Sequence, residues 1–234
     1  LVTNYVEHFD ADREILEGKL LINAAKASGT TRVVWSGCEH ASQISGGKYV
    51  DLYHWESKAL VTQYGRVSGI LFVEVQAAHY AQNGPAPRMT LRPSKQDDGS
   101  FLVCWPMKPT TVIPVIDVTH NYGLFVHQVL EAPVFPNGST VAAYGEKIAL
   151  GDMVAQFAEI TRKKCVFQQI SIEEFQKSSG RLSRSTSCSP WQMYPNIWKS
   201  VDVRHTSTSP ELLARRPRTW AEFAKVQDWS SLFV

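Results

Sequence analysis

Two short β-branched runs, Arg32-Val-Val-Trp35 and Ile70-Leu-Phe-Val-Glu-Val75, each follow a helix-like stretch, and this alternation restricts the chain to a narrow set of folds. Asp10 to Ser28 places Ile15, Leu16, Leu20, Ile22, Ala24 and Ala27 among its apolar positions, with Gly29 set to end the helix. Leu52 to Tyr64 is a second helix carrying Leu52, Trp55, Ala59, Leu60 and Val61. Helix, short turn and strand form the second part of a β-α-β unit, so the sheet is expected to be parallel, with Val2 and residues before it supplying an earlier strand.

The same reading carries further along the chain. Gln43 to Lys48 is polar and glycine-rich, hence a loop, and Gln82 to Ser100 is an excursion with little regular structure. Phe101 to Trp105, Val112 to Val118, Thr140 to Tyr144 and Val166 to Ile170 are strands; Tyr122 to Leu130 is a helix, and Leu150 to Lys163 is another, opened by Asp152. Ser171-x-x-Glu174 has the form of a capping box. The serine-rich segment from Lys177 to Pro190 is expected to be a mobile loop. The aromatic stretches Trp191 to Trp198 and Thr219 to Trp229 are expected to pack as a lid or small cap.

With 44% hydrophobic residues the chain can build a core, which excludes disorder and coiled coil. Acids and bases nearly balance at 22 against 24, which gives no general attraction to nucleic acid or membrane. The charges are unevenly placed, though. Residues 1–161 hold 16 acids and 12 bases, residues 162–234 hold 6 and 12; the scattered bases of the tail read first as a solvated surface, with a phosphate or an acidic partner as the alternative. The four cysteines form no C-x-x-C pair and the seven histidines no H-x-x-x-H, so no metal is expected. A serine hydrolase is set aside because G-x-S-x-G is absent. The lack of a charged-then-apolar leader points to a cytoplasmic address, with the nucleus as the alternative.

Open parallel sheets bind ligands beyond the carboxyl ends of their strands. Those ends are Thr3-Asn4-Tyr5, Ser36-Gly37 and Ala77 to Asn83, and the second helix sets His54 and Lys58 four residues apart on one face.

Taken in order, Val2-Thr-Asn-Tyr5, Gly18-Lys-Leu-Leu-Ile-Asn-Ala-Ala-Lys26, Val33-Val-Trp-Ser-Gly37, Ser45-Gly-Gly-Lys-Tyr49, His54-Trp-Glu-Ser-Lys58, Ala78-His-Tyr-Ala-Gln-Asn83, Val115-Ile-Asp-Val118 and Ile170-Ser-Ile-Glu-Glu-Phe175 resemble the NmrA-like family of atypical short-chain dehydrogenase/reductases, named for a regulator of nitrogen metabolite repression. The resemblance implies a Rossmann-like, NAD(P)-binding parallel sheet (residues 1–83) that lacks its first strands. A smaller C-terminal α+β domain (84–234) is interleaved with it, with parts of 112–146 returning to the core. It also implies that Ser36 and Lys58 match the dehydrogenase Ser and Lys, that His54 stands where the proton-giving Tyr would be, and that Thr3, Asn4, Ser36, Lys58 and Asn83 line the NADP or NAD site.

Imidazole beside an ammonium is pushed toward its neutral form, which makes it a poor acid. No G-x-x-G-x-x-G is present, and at about 30 residues per β-α-β unit roughly 70 residues of the family's pattern would precede Leu1, so this chain is expected to bind the dinucleotide weakly or not at all. The favoured function is a cofactor-sensing regulator with little dehydrogenase activity, contacting a protein such as a transcription factor. The alternatives are an isoflavone-reductase-like oxidoreductase using Lys58 as acid or base on a small-molecule substrate, and a degenerate chain acting only as an interaction surface.

Overall fold

The computed structural model describes residues 1–85, 92–178 and 213–233. In chain order its helices are α1 (Tyr5–His8), α2 (Ala11–Ala27), α3 (Ala41–Ile44), α4 (Tyr53–Val67), α5 (Val118–Glu131), α6 (Leu150–Thr161), α7 (Ile172–Ser178), α8 (Trp220–Val226) and α9 (Ser230–Phe233). Its strands are β1 (Arg32–Gly37), β2 (Leu71–Ala77), β3 (His79–Tyr80), β4 (Ser94–Lys95), β5 (Phe101–Trp105), β6 (Val112–Ile116), β7 (Thr140–Ala143), β8 (Glu146–Ala149) and β9 (Cys165–Gln169). The residues fall into two units.

The first unit takes in residues 1–77, 122–143 and, of the later described residues, 213–216. Its sheet has the order β1-β2-β7, all parallel, with Arg32 opposite Leu71 and Glu74 opposite Thr140. On the other edge of β1, the Leu1 amino group donates to Val34 O (2.7 Å) and Leu1 O accepts from Ser36 N (3.0 Å), so pairing continues at residue 1. Asp10 caps α2 by accepting from Arg13 N at 3.0 Å, and Gly29, at φ +80°, makes the left-handed step that a side chain would resist. Strand alternation puts Val33, Trp35 and Phe72 on the face covered by α2 and α4, where they are buried with Ile22, Val61 and Ile70.

The second unit takes in 78–121, 144–178 and 217–233 where described. It holds two three-stranded sheets, β3-β6-β8 and β4-β5-β9. Here β6–β8 and β4–β5 are antiparallel while β3–β6 and β5–β9 are parallel, the mixed pairing expected of the α+β part. The β8 strand, with its two charged residues in four, carries no apolar alternation to announce it. The capping box forms as expected, with Glu174 accepting from Ser171 N (2.8 Å) and Ser171 Oγ from Glu174 N (3.1 Å).

Two boundaries differ from the sequence reading: the loop expected from Gln43 overlaps the end of α3, and α5 begins at Val118. The α6 helix opens at Leu150 as expected, with Asp152 inside its first turn rather than opening it. The last stretch is no lid: Trp220, Phe223, Trp229 and Leu232 lie in the core with Trp105, Ile113 and Phe157. Asn121, fully buried, fixes that stretch by donating to Arg218 O (2.8 Å) and accepting from Arg218 N (2.9 Å). The expected mobile loop beyond Ser178 and the Trp191–Trp198 stretch lie outside the described residues.

Candidate functional site at the carboxyl end of β1

The seam between α2 and α4 is built from two stripes at i, i+4 spacing: Glu14, Gly18 and Ile22 on α2, and Ser57, Val61 and Gly65 on α4, all buried. At Gly18 the helices come so close that an added Cβ would meet Val61 at 2.6 Å. One turn along from this contact the seam carries a carboxylate where the pattern calls for an apolar side chain.

Glu14 is 2% exposed and every oxygen is engaged. Its Oε1 accepts from Thr3 Oγ1 at 2.7 Å and forms an ion pair with Lys58 Nζ at 2.9 Å, and its Oε2 accepts from Ser57 Oγ. Lys58 Nζ also donates to Thr3 O (2.9 Å) and Thr3 Oγ1 (3.0 Å) and lies 5.5 Å from the Trp35 ring centre. Of the three N–H groups of the ammonium, two are donated to Thr3, and the charge lies against Glu14.

His54, one turn before Lys58, packs its ring 5.7 Å from Tyr5 and 6.5 Å from Trp55. Burial, joined by the Lys58 charge and opposed by Glu14, pushes its pKa down to about 4. The ring is therefore neutral at pH 7. Because the folded value lies below the unfolded one, the stability His54 contributes is present above about pH 6.5 and is lost as pH falls through about 4. Titration of the His54 ring by NMR should show no change between pH 8 and 5.5; a midpoint near the ordinary histidine value would contradict this geometry.

A phenol does stand beside His54, but it is Tyr5 on α1, and its pKa is raised by burial and by Glu14, Tyr53 and Asp10. A proton donor in a reductase needs the opposite shift. Cys38, just past β1, is likewise no nucleophile, since burial pushes its thiol up to about 12.

Of the residues singled out from sequence, Thr3, His54 and Lys58 gather around Glu14. Ser36 sits next to Trp35 on β1, so alternation directs its hydroxyl to the sheet face opposite the one that holds Lys58 over Trp35. Asn4 is exposed in the first unit, and Asn83 lies in the short 3₁₀ turn Ala81–Asn83 of the second. Among the described residues the side chains of Asn4, Ser36 and Asn83 make no hydrogen bond.

Sequence reading missed Glu14, and it set Tyr5 at a strand end without giving it a role. The signal for Glu14 was its phase: it is in step with Gly18 and Ile22, so the face that buries them buries it.

A cavity of about 460 Å³ lies on the same sheet face, lined by Cys38, His40, Thr62, Arg66, Glu74 and Gln76 among others. Glu74, 2% exposed, accepts from Thr62 Oγ1 and Thr140 Oγ1, both at 2.9 Å, and from Arg66 at 3.2 Å. Gly37 makes room for it, because a Cβ there would come within 2.0 Å of Glu74 Oε1. Neither Lys58 nor His54 lines this cavity. Among the described residues no cluster of His, Cys, Asp or Glu is arranged to hold a metal, and no helix is long and apolar enough to cross a membrane.

The sequence profile of the NmrA-like family matches residues 1–224. The NmrA-like family domain-containing oxidoreductases FrzB of Cladobotryum sp and malD of Malbranchea aurantiaca are 24% and 26% identical over 164 and 160 residues. Each match covers 65% of this chain, and the chain spans about half of each relative, 48% and 47%. Among solved structures, NmrA, a negative transcriptional regulator in complex with NAD, superposes with a TM-score of 0.72 at 22% identity, over 98% of this chain and 76% of that one. The triphenylmethane reductase of Citrobacter sp. complexed with NADP(H) gives 0.62 at 15%, over 96% and 74%. These likenesses establish a Rossmann-like α/β fold.

Proposed function

The chain belongs to the NmrA-like family, and from that premise we propose that it is a regulator of the NAD(P)-sensing kind with little or no dehydrogenase activity. The observation that carries this reading is the state of Lys58. A lysine that assists reduction must offer a proton or an N–H to the cofactor or substrate. This one donates twice to Thr3 and has its charge paired with Glu14 at 2.9 Å. Its neighbours point the same way: His54 is a neutral imidazole, and the nearby Tyr5 phenol is a weaker acid than usual.

In this reading Lys58 is turned inward onto Thr3 and Glu14, so NAD or NADP is met without help from its ammonium. Asn4 and Ser36 of the first unit keep uncommitted side chains and are groups through which a nicotinamide or ribose would be met. The partner is a protein such as a transcription factor, a reading supported by the regulator among the similar structures and by the excess of bases over acids in residues 162–234.

A second reading, reduction of a small molecule with Lys58 as acid or base, is favoured by the oxidoreductase names of FrzB and malD. NADPH oxidation with carbonyl and quinone acceptors separates the two. The regulator reading expects a wild-type rate equal to that of Lys58→Ala and His54→Ala. A wild-type rate clearly above both controls would establish the reductase instead.

A further inference from the structure

We infer that Glu14 is a positioning residue whose carboxylate holds the Lys58 ammonium on Thr3, so that Lys58 presents no N–H outward. The inference rests on the non-reducing reading of the site and says which group enforces it.

The α2–α4 seam is the first ground. Its other layers are filled by Gly18, Val61, Ile22 and Gly65, and a seam needed only for packing is at least as stable with an apolar residue at position 14 as with a buried ion pair. Where a local rule is broken inside an otherwise consistent element, the broken position serves a site.

The arrangement of bonds is the second. Glu14 Oε1 is shared by Lys58 Nζ and Thr3 Oγ1, and Thr3 Oγ1 itself accepts from Lys58, so carboxylate, hydroxyl and ammonium close a ring of contacts between 2.7 and 3.0 Å. Ser57, the residue before Lys58, donates to the other carboxylate oxygen and fixes the plane of the group. Lys58 is the one cation in contact with Glu14 among the described residues. Its side chain is 14% exposed, enough for a reagent to find the amine if the ring opens.

The test is competitive acetylation of the whole chain with acetic anhydride at mildly alkaline pH, read by mass spectrometry for Lys58 against the half-buried Lys19 and the exposed Lys26. In the wild type Lys58 should react slowest. Glu14→Gln keeps the shape and an acceptor oxygen but removes the charge, and Lys58 acetylation should rise about tenfold, the equivalent of one lost hydrogen bond between charged groups. Lys19 and Lys26 should not change, and Glu14→Asp, which restores the charge, should restore much of the protection. Equal Lys58 rates in wild type and Glu14→Gln, with both folded by circular dichroism, would overturn the inference.

If Glu14→Gln fails to fold, Thr3→Val decides. That variant keeps the direct 2.9 Å contact to Glu14, so Lys58 should stay protected, and a tenfold rise would show that Thr3 rather than Glu14 does the holding. NADPH oxidation by the same preparations is a separate readout. Turnover with protected Lys58 would remove the non-reducing reading and leave the Glu14 contact standing, whereas no turnover with an unprotected Lys58 would do the reverse.

Discussion

Lys58→Met should destabilise the chain by about 3–5 kcal/mol, measured by chemical denaturation at neutral pH, because it strands a carboxylate that is 2% exposed. Methionine matches the aliphatic stem, so the packing of α4 changes little and the loss reports the charge. Ser57 and Thr3 would still donate to Glu14, which softens the effect without replacing an ammonium. The double variant Glu14→Leu, Lys58→Met removes both charges and should recover most of the loss, so the two changes are strongly non-additive. A lysine kept free for a ligand behaves differently: its removal from an empty site costs little. A loss below about 1 kcal/mol, the range of exposed ion pairs, would show that the contact is incidental.

The second large effect is expected in the other unit. Trp220→Ala should cost about 3–5 kcal/mol, the range for deleting a large buried aromatic. Trp220 is 5% exposed, packs 5.7 Å from Phe223 and 6.3 Å from Trp229, and donates from Nε1 to Met153 O at 3.0 Å. Its helix also begins on a capping box between Thr219 and Glu222, which sets the indole's entry angle. Trp220→Phe keeps part of the apolar area but leaves the Met153 carbonyl without its donor, and should fall between wild type and alanine. If Trp220→Ala left the denaturation midpoint unchanged, the terminal stretch would be a detachable cap after all.

These two residues also show how far the sequence could be read. The helices and strands of the first unit were legible because their apolar residues keep helical period in α2 and α4 and form short β-branched runs in β1 and β2. The shared face of His54 and Lys58 follows from their four-residue spacing alone.

Glu14 was not legible, because it sits in a helical turn with Asp12 and Glu17, where an acidic residue ordinarily faces water. Only its phase with Gly18 and Ile22 distinguishes it, and the depth of that stripe depends on α4, about 40 residues on. Trp220 shows the same limit. Its aromatic neighbourhood is plain in the sequence, yet whether it caps or fills a core depends on partners at Met153 and Phe157, far away along the chain. Likewise β8 is a strand because β6 lies beside it, with Ile113 opposite Ile148, and not through any pattern of its own.

Because the whole account depends on the Lys58 ammonium being held by the protein itself, its side-chain ¹⁵N signal gives the most direct test. In lysine-labelled protein the signal, assigned by its loss in Lys58→Arg, should be visible, exchange slowly with water, and stay unchanged as NADPH is raised to about 1 mM, the range of marginal affinity. A Lys58 signal that is lost to rapid exchange in the free protein, or that moves in a saturable way as NADPH is added, would mean that the ammonium is offered to the cofactor, and the claim that Thr3 and Glu14 hold it would be wrong.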